Sequence, residues 1–345
     1  MSEATGHPLL RVEGLNKRFL ISNGLFARPL ILRALEDINF SVRAGETLGI
    51  VGESGCGKST LGRCILQLIG SDEGRVLWLG QDLTHLPPEE MRLKRRDLQI
   101  IFQDPLASLN PRMTVGEIIG DPLRTLAPEM NKADRLARVL RVMESVGLLK
   151  EMVNRYPHEF SGGQAQRIGI ARALITEPKL IVCDEPVSAL DVSIQAQILN
   201  LLADLKDQYQ LTLIFISHNL SVVKHVSDRI LVLYLGRIVE LAPADALYGE
   251  PKHPYTQALL TAVPIPDPRL ARNRTIDGLE GEIPSPIRPP SGCHFRTRCR
   301  YAVDRCAAEV PPLEEIRGGR LVRCHRWAEI EGLLAGSPEV DSPAE

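Results

Sequence analysis

The chain has 345 residues, 44% of them hydrophobic and 24% charged, with a formal net charge of -2, a pI ≈ 6.5 and a mean hydropathy of -0.05. These values exclude a disordered polymer and a membrane-embedded bundle, and the near-neutral balance supplies no overall positive field to attract a nucleic-acid backbone. The stretch Met1-Ser2-Glu3-Ala4-Thr5-Gly6-His7 lacks the basic flank and apolar core of a secretory signal, and the longest apolar runs, such as Ile230 to Leu235, fall far short of the ~20 residues that span a bilayer. The chain reads as cytoplasmic, brought to any membrane by other subunits.

Strand-like runs alternate with helical patterns from about Leu9 to Leu247, which predicts an α/β domain whose sheet is covered on both faces. Buried strands are expected at Thr47–Val51, Leu98–Phe102, Leu180–Cys183, Leu213–Ser217 and Ile230–Tyr234. Between Pro105 and Phe160 no central strand is evident and Lys132–Val146 has amphipathic helical spacing, so a helical subdomain is expected over about 105–165. After residue 250 prolines become dense, at 251, 254, 264, 266 and 268 and again at 284, 286, 289 and 290. Residues 251–345 therefore read as an extended, docked extension of the domain formed by 1–250, with Gly336–Glu345 frayed at the end.

The first motif is Gly52-Glu53-Ser54-Gly55-Cys56-Gly57-Lys58-Ser59-Thr60, which fits G-x-x-x-x-G-K-[ST] between a predicted strand and a predicted helix. Its glycines let backbone N–H groups turn inward around phosphates, Lys58 neutralises β/γ oxygens and Ser59 ligates Mg²⁺. The second is Leu180-Ile181-Val182-Cys183-Asp184-Glu185, a buried strand ending in two carboxylates. Asp184 suits Mg²⁺, while Glu185 is placed to polarise an attacking water, so the pair points to hydrolysis rather than phosphoryl transfer. Taken alone, the loop could be an ordinary glycine-rich turn and the carboxylates a solvated strand end.

Between the two stands Phe160-Ser161-Gly162-Gly163-Gln164, and with it the set resembles the nucleotide-binding subunit of an ABC transporter, a P-loop NTPase. The resemblance implies that Ser161, Gly162, Gly163 and Gln164 bind the γ-phosphate of ATP held by the opposite subunit of a sandwich dimer. It further implies that Gln103 senses Mg²⁺ and water, that Ser188-Ala189-Leu190-Asp191 contacts the partner, that His218 contacts the γ-phosphate and that Phe19 stacks on adenine. Three residues depart from the family pattern: Phe160 replaces a leucine, Ala165 stands where a basic residue is frequent, and Asn219 follows His218 in place of aspartate. None removes a group that touches phosphate.

His253-Pro254-Tyr255-Thr256-Gln257-Ala258-Leu259-Leu260 and Gly281-Glu282-Ile283-Pro284-Ser285-Pro286, followed by clustered cysteines, resemble the C-terminal extension of dipeptide and oligopeptide permease ATPases. Within that family the likeness is to the second ATPase subunit of a dipeptide permease. It implies an ATP-driven importer ATPase, peripheral on the cytoplasmic face of the cell membrane. The implied partners are a second, homologous ATPase chain, two transmembrane permease subunits and, indirectly, an extracytoplasmic peptide-binding protein, with no nucleic acid. Related importers move nickel or other small solutes on the same plan, and soluble ABC proteins remodel nucleoprotein complexes. The spacing Cys293-x₅-Cys299-x₆-Cys306-x₁₇-Cys324 suits four-thiolate zinc or an iron–sulfur cluster, and free thiols stay open. The resemblance implies a [4Fe–4S] cluster. Cys56, Cys64 and Cys183 read as small buried hydrophobes.

Overall fold

A computed structural model of the protein describes residues 8–22, 29–262 and 281–335. The expectations for Met1–His7, for the prolines at 264, 266 and 268 and for Gly336–Glu345 lie outside the described residues. Twelve strands are seen in the described residues: β1 (Leu10–Ile21), β2 (Leu30–Val42), β3 (Thr47–Val51), β4 (Glu73–Trp78), β5 (Gln81–Asp82), β6 (Leu98–Ile101), β7 (Leu180–Asp184), β8 (Thr212–Ile216), β9 (Arg229–Tyr234), β10 (Arg237–Pro243), β11 (Glu314–Ile316) and β12 (Arg320–Val322).

The main sheet has the order β11-β12-β10-β9-β3-β8-β7-β6, with parallel pairing from β9 through β6 and antiparallel pairing on the other side of β9. Its central strands are unbroken apolar runs because both faces are covered. Ile181 and Cys183 of β7 point into one core and Leu180 and Val182 into the other; Leu213 and Phe215 of β8 oppose Ile214 and Ile216 in the same way. The sheet is thus the partition between two cores. Strands β2-β1-β4-β5 form a second, antiparallel sheet that shares the second core through Leu10, Leu15, Leu35, Ile38 and Trp78.

Helix α1 (Lys58–Ile65) follows the glycine loop and α2 (Pro88–Lys94) precedes β6. The next two helices, α3 (Val115–Leu126) and α4 (Lys132–Ser145), occupy the stretch without strands. Their starts are set by sequence: Thr114 and Glu117 form a reciprocal capping box, and the Asn131 side chain accepts from the Asp134 N–H. Ile118, Ile119, Leu123, Val139, Val142 and Met143 are buried in one core with Ile168 of α5 (Gly162–Leu174), the same core that covers one face of the sheet. The helical segment is therefore packed continuously with the sheet domain.

Helices α6 (Val192–Tyr209), α7 (Leu220–Val226) and α8 (Ala244–Gly249) complete the domain. The region beyond residue 250 differs from the extended reading. It holds α9 (Pro254–Thr261), α10 (Asp304–Ala308), the hairpin β11/β12 and α11 (Trp327–Ala335). Pro254 sits in the first turn of α9, where a missing N–H costs nothing, and the hairpin is proline-free. Strand β12 pairs with β10 and carries the hairpin into the main sheet. Buried Glu240 of β10 accepts from the Lys252 and His253 N–H groups at 2.9 Å each and from Arg320 Nη2 at 3.3 Å, stitching the extension to the domain. Among the described residues no helix is long and apolar enough to cross a membrane.

Candidate active site

The glycine loop leaves the C-terminal end of β3 and its last residues begin α1, so its N–H groups and the positive helix end face one cavity. Two glycines are obligatory for steric reasons. Gly52 (φ 152°) and Gly57 (φ 108°) adopt positive φ, and a Cβ on either would collide with the carbonyl oxygen of Leu233 or Ala34, respectively. Lys58 folds back over the loop and donates from Nζ to the carbonyl oxygens of Gly52 (2.9 Å) and Glu53 (3.0 Å).

Asp184 ends β7 beside this loop and is only 2% exposed. It accepts from Ser59 Oγ at 2.6 Å and lies 3.9 Å from Arg63 Nη2. Burial pushes its carboxyl pKa up; the Ser59 hydrogen bond and the Arg63 charge pull it back only in part, and neighbouring Glu185 adds to the rise. Glu185 takes up a left-handed backbone conformation (φ 49°), with its N–H bonded to the Ile216 carbonyl of the adjoining strand. That kink turns its side chain toward β6 and β8: Oε2 accepts from Gln103 Nε2 at 3.2 Å and lies 3.3 Å from His218 Nδ1.

Lys58, Ser59, Gln103, Glu185 and His218 share a cavity of ≈ 470 Å³, which Asp184 does not itself line but adjoins through its bond to Ser59. Its walls include Ser54, Gly55, Gly57, Lys58, Ser59 and Thr60 of the loop and α1, Gln103, Glu185 and His218, and Phe19, Leu32 and Ala34 of the antiparallel sheet. Phe19 is 37% exposed as a residue, with Lys17 Nζ 5.3 Å from its ring centroid.

Other residues singled out in the sequence stand apart. Ser161 caps α5 in a reciprocal box with Gln164 and, like Gly162, Gly163, Gln164 and Asp191, does not line the cavity. Ser161, Gly162 and Asp191 are exposed. Glu53 and Cys56 line a separate pocket with Tyr234 and Pro284, so the loop presents them away from the phosphate side. The fold accommodates the departures from the family pattern: Phe160 and Ala165 are buried in the core, and the Asn219 side chain caps α7 by accepting from the Val222 N–H, as aspartate there could. Sequence reasoning missed Arg63, one helical turn beyond Ser59, and Pro286, which reaches the cavity from the extension. The i+4 spacing of Arg63 could have flagged it, whereas no local signal marks Pro286.

Cys293, Cys299, Cys306 and Cys324 line one small pocket with His253, Phe295 and Tyr301. Burial, with the neighbouring cysteines adding repulsion, raises the Cys299 thiol to about 11 and the Cys324 thiol to about 12. Among the described residues no group of three or more His, Cys, Asp or Glu is arranged to hold a metal ion. Cys56, Cys64 and Cys183 are buried, and burial raises the Cys64 thiol to about 11 and that of Cys183 to about 12.

Residues 35–188 match the family described as ABC transporter, and residues 239–306 match the oligopeptide/dipeptide transporter C-terminal region. The chain is 56% identical over 319 residues to the oligopeptide transport ATP-binding protein OppF of Haemophilus influenzae, covering 92% of this chain and 96% of that protein. The protein of the same name from Escherichia coli is 59% identical over 309 residues, covering 89% and 92%. A solved dimeric ATP-binding cassette in a post-hydrolysis state with ADP and Pi is similar with a TM-score of 0.61 at 29% identity, covering 68% of this chain and 98% of that one.

Proposed function

This chain belongs to the family of ABC transporter ATP-binding proteins, and from that premise we propose that it is the ATPase subunit powering oligopeptide import through a membrane complex. One observation carries the reading. Lys58, Ser59, Gln103, Glu185 and His218 surround a single cavity, while the Ser161–Gln164 helix start faces solvent elsewhere, as half of a site completed by another subunit would.

ATP enters with its phosphates in the loop Gly52–Thr60, held by backbone N–H groups and by Lys58, and its base against Phe19. Ser59 Oγ and Asp184, with Gln103 at the edge, are the groups for Mg²⁺. The donor set fits, since Mg²⁺ keeps waters and phosphate oxygens and takes few protein ligands. When bound, the ion neutralises charge on the β- and γ-oxygens. Glu185 orients a water and receives its proton as the water oxygen attacks the γ-phosphorus and the bond to ADP breaks, giving ADP and phosphate. His218 steadies Glu185 and the γ-phosphate, and Gln103 links both to the helical segment. The positive N-terminus of α5 in one subunit binds the γ-phosphate held by the other, so ATP closes the pair and hydrolysis reopens it.

The partners in this reading are a second ATPase chain meeting Asp191, two membrane permease subunits and, across the membrane, a peptide-binding protein. The chain then works at the cytoplasmic face of the membrane. Cys293, Cys299, Cys306 and Cys324 line one pocket but are not arranged as a ligand set, so an iron–sulfur cluster, or zinc as the alternative, rests on the cysteine spacing and the family resemblance and would need the four thiols to draw together. Iron, sulfide and zinc analysis of anaerobically purified chain decides between them. The functional reading is tested by purifying the chain from membranes without dissociating its partners. Recovery of two permease subunits and a second ATPase supports it; recovery of ribosomes or DNA without membrane subunits overturns it.

A further inference from the structure

Residue Glu53, the second of the phosphate-binding loop, is held from outside the loop by two separate parts of the C-terminal extension. Its N–H donates to Tyr255 Oη of α9 at 2.9 Å. Its carboxylate receives a two-pronged bond from Arg298, Nη1 to Oε2 at 2.7 Å and Nη2 to Oε1 at 3.0 Å. The Arg298 side chain is 4% exposed and that of Glu53 21%. Charged pairs in fork geometry at such depth are well fixed in position and costly to break. Beneath them Tyr234, Tyr255 and Phe295 pack as an aromatic trio with ring centroids 4.6, 5.3 and 5.4 Å apart, and Arg298 lies 6.0 Å from the Tyr234 ring.

The other end of the same residue touches the phosphate site. Lys58 Nζ donates to the carbonyl oxygens of Gly52 and Glu53, and its third contact, to Cys56 Sγ at 3.9 Å, is a long sulfur contact that a phosphate oxygen can replace. The placement of the Gly52-Glu53 segment therefore sets the placement of the ammonium. We infer that Arg298 and Tyr255 are positioning residues for the nucleotide site, acting through Glu53 on Lys58, so that the extension tunes ATP affinity. The loop alone does not fix Glu53: its carboxylate has its bonds in Arg298, 245 positions away in sequence. Pro286, which lines the nucleotide cavity and accepts from the Arg33 N–H at 3.3 Å through its carbonyl, is a further contact between the extension and the site.

This inference rests on the reading of Gly52–Thr60 as an ATP site, and its test keeps the two apart. MgATP affinity, kcat, KM and thermal stability are measured on the purified full chain and on Arg298→Gln, Glu53→Gln, the double variant and Tyr255→Phe. Arg298→Gln is expected to weaken MgATP binding and raise KM about tenfold, with kcat within about twofold. Glu53→Gln is expected to do the same, and the double variant no worse than either single change. Tyr255→Phe retains the aromatic packing and is expected to weaken binding roughly threefold through the one lost hydrogen bond. Variants that melt earlier yet bind MgATP as the parent does overturn the inference, as do losses that multiply in the double variant. A parent chain that binds no MgATP overturns the reading beneath it.

Discussion

Replacing Asp184 by asparagine separates what the site needs for chemistry from what the fold prefers. The carboxylate is 2% exposed, and burial is the largest influence on it, raising its pKa in the folded chain above the ordinary 3.8. Raised folded pKa means that the ionised group opposes folding at neutral pH. That opposition fades only as pH falls through the folded pKa toward 3.8, where the carboxyl takes up its proton. Arg63 relieves it little, being 3.9 Å away on a side chain that is 51% exposed and so screened by solvent. Asparagine is nearly isosteric, keeps an oxygen to accept the Ser59 hydroxyl and carries no charge. The metal-free chain should therefore gain about 1 kcal/mol, or about 2 °C in Tm for a chain of this size. Mg²⁺-dependent ATPase activity should fall by roughly 10² or more, since metal stabilisation of phosphoryl charge is worth several kcal/mol. Calorimetry at pH 7 in chelator, paired with ATPase assays, reads both. A variant that melts earlier than the parent, or that hydrolyses MgATP at the parent rate, refutes the reasoning.

Glu185→Gln should bind ATP with parent affinity while single-turnover hydrolysis slows by roughly 10²–10⁴, and size-exclusion chromatography with ATP should show an accumulated dimer; a parent-like rate removes Glu185 from the mechanism. Gly57→Ala should abolish nucleotide binding and cost about 2 kcal/mol, given the positive φ and the clash with the Ala34 carbonyl; isothermal titration that still detects ATP refutes this. Buried His253 and His294 have pKa values lowered by burial to about 3 and about 4. Because these folded values lie below the unfolded 6.5, their contribution to stability is complete above pH 6.5. It is lost as pH falls toward 4, by about 1.4 kcal/mol per pH unit for each histidine. Urea midpoints across pH 4–7 test this, and a His253→Gln, His294→Gln chain with an unchanged acid profile contradicts it.

The five strands β3, β6, β7, β8 and β9 are legible in sequence because their runs are mostly apolar, with polar residues mainly at strand ends and at Gln99 of the edge strand β6, and each was expected within one residue of where it lies. The antiparallel sheet was not, for a reason visible in its register. Strand β1 slips against β2 between Val12 and Leu15, between Leu15 and Lys17 and between Lys17 and Arg18, so the alternation that marks a strand is interrupted. The proline-rich extension misled in another way: Pro254 starts a helix rather than preventing one, and the short β12 is a strand through its pairing with β10 and β11. In the site, the groups on the loop and at the ends of β6, β7 and β8 follow from order along the chain. Arg298 and Tyr255 do not, since nothing local to either residue points to Glu53, 245 and 202 positions away. Asn219, an oddity by motif, fills the N-cap of α7, a role aspartate would fill as well.

Uptake by the purified complex in proteoliposomes tests the central claim most directly. With this chain and its permease partners in the membrane, binding protein and labelled oligopeptide on the outside, and MgATP supplied to the ATPase face, the vesicles should accumulate peptide. Accumulation should stop when Glu185→Gln replaces the parent chain. Hydrolysis of ATP with no peptide accumulated, or uptake undiminished by Glu185→Gln, would contradict the account.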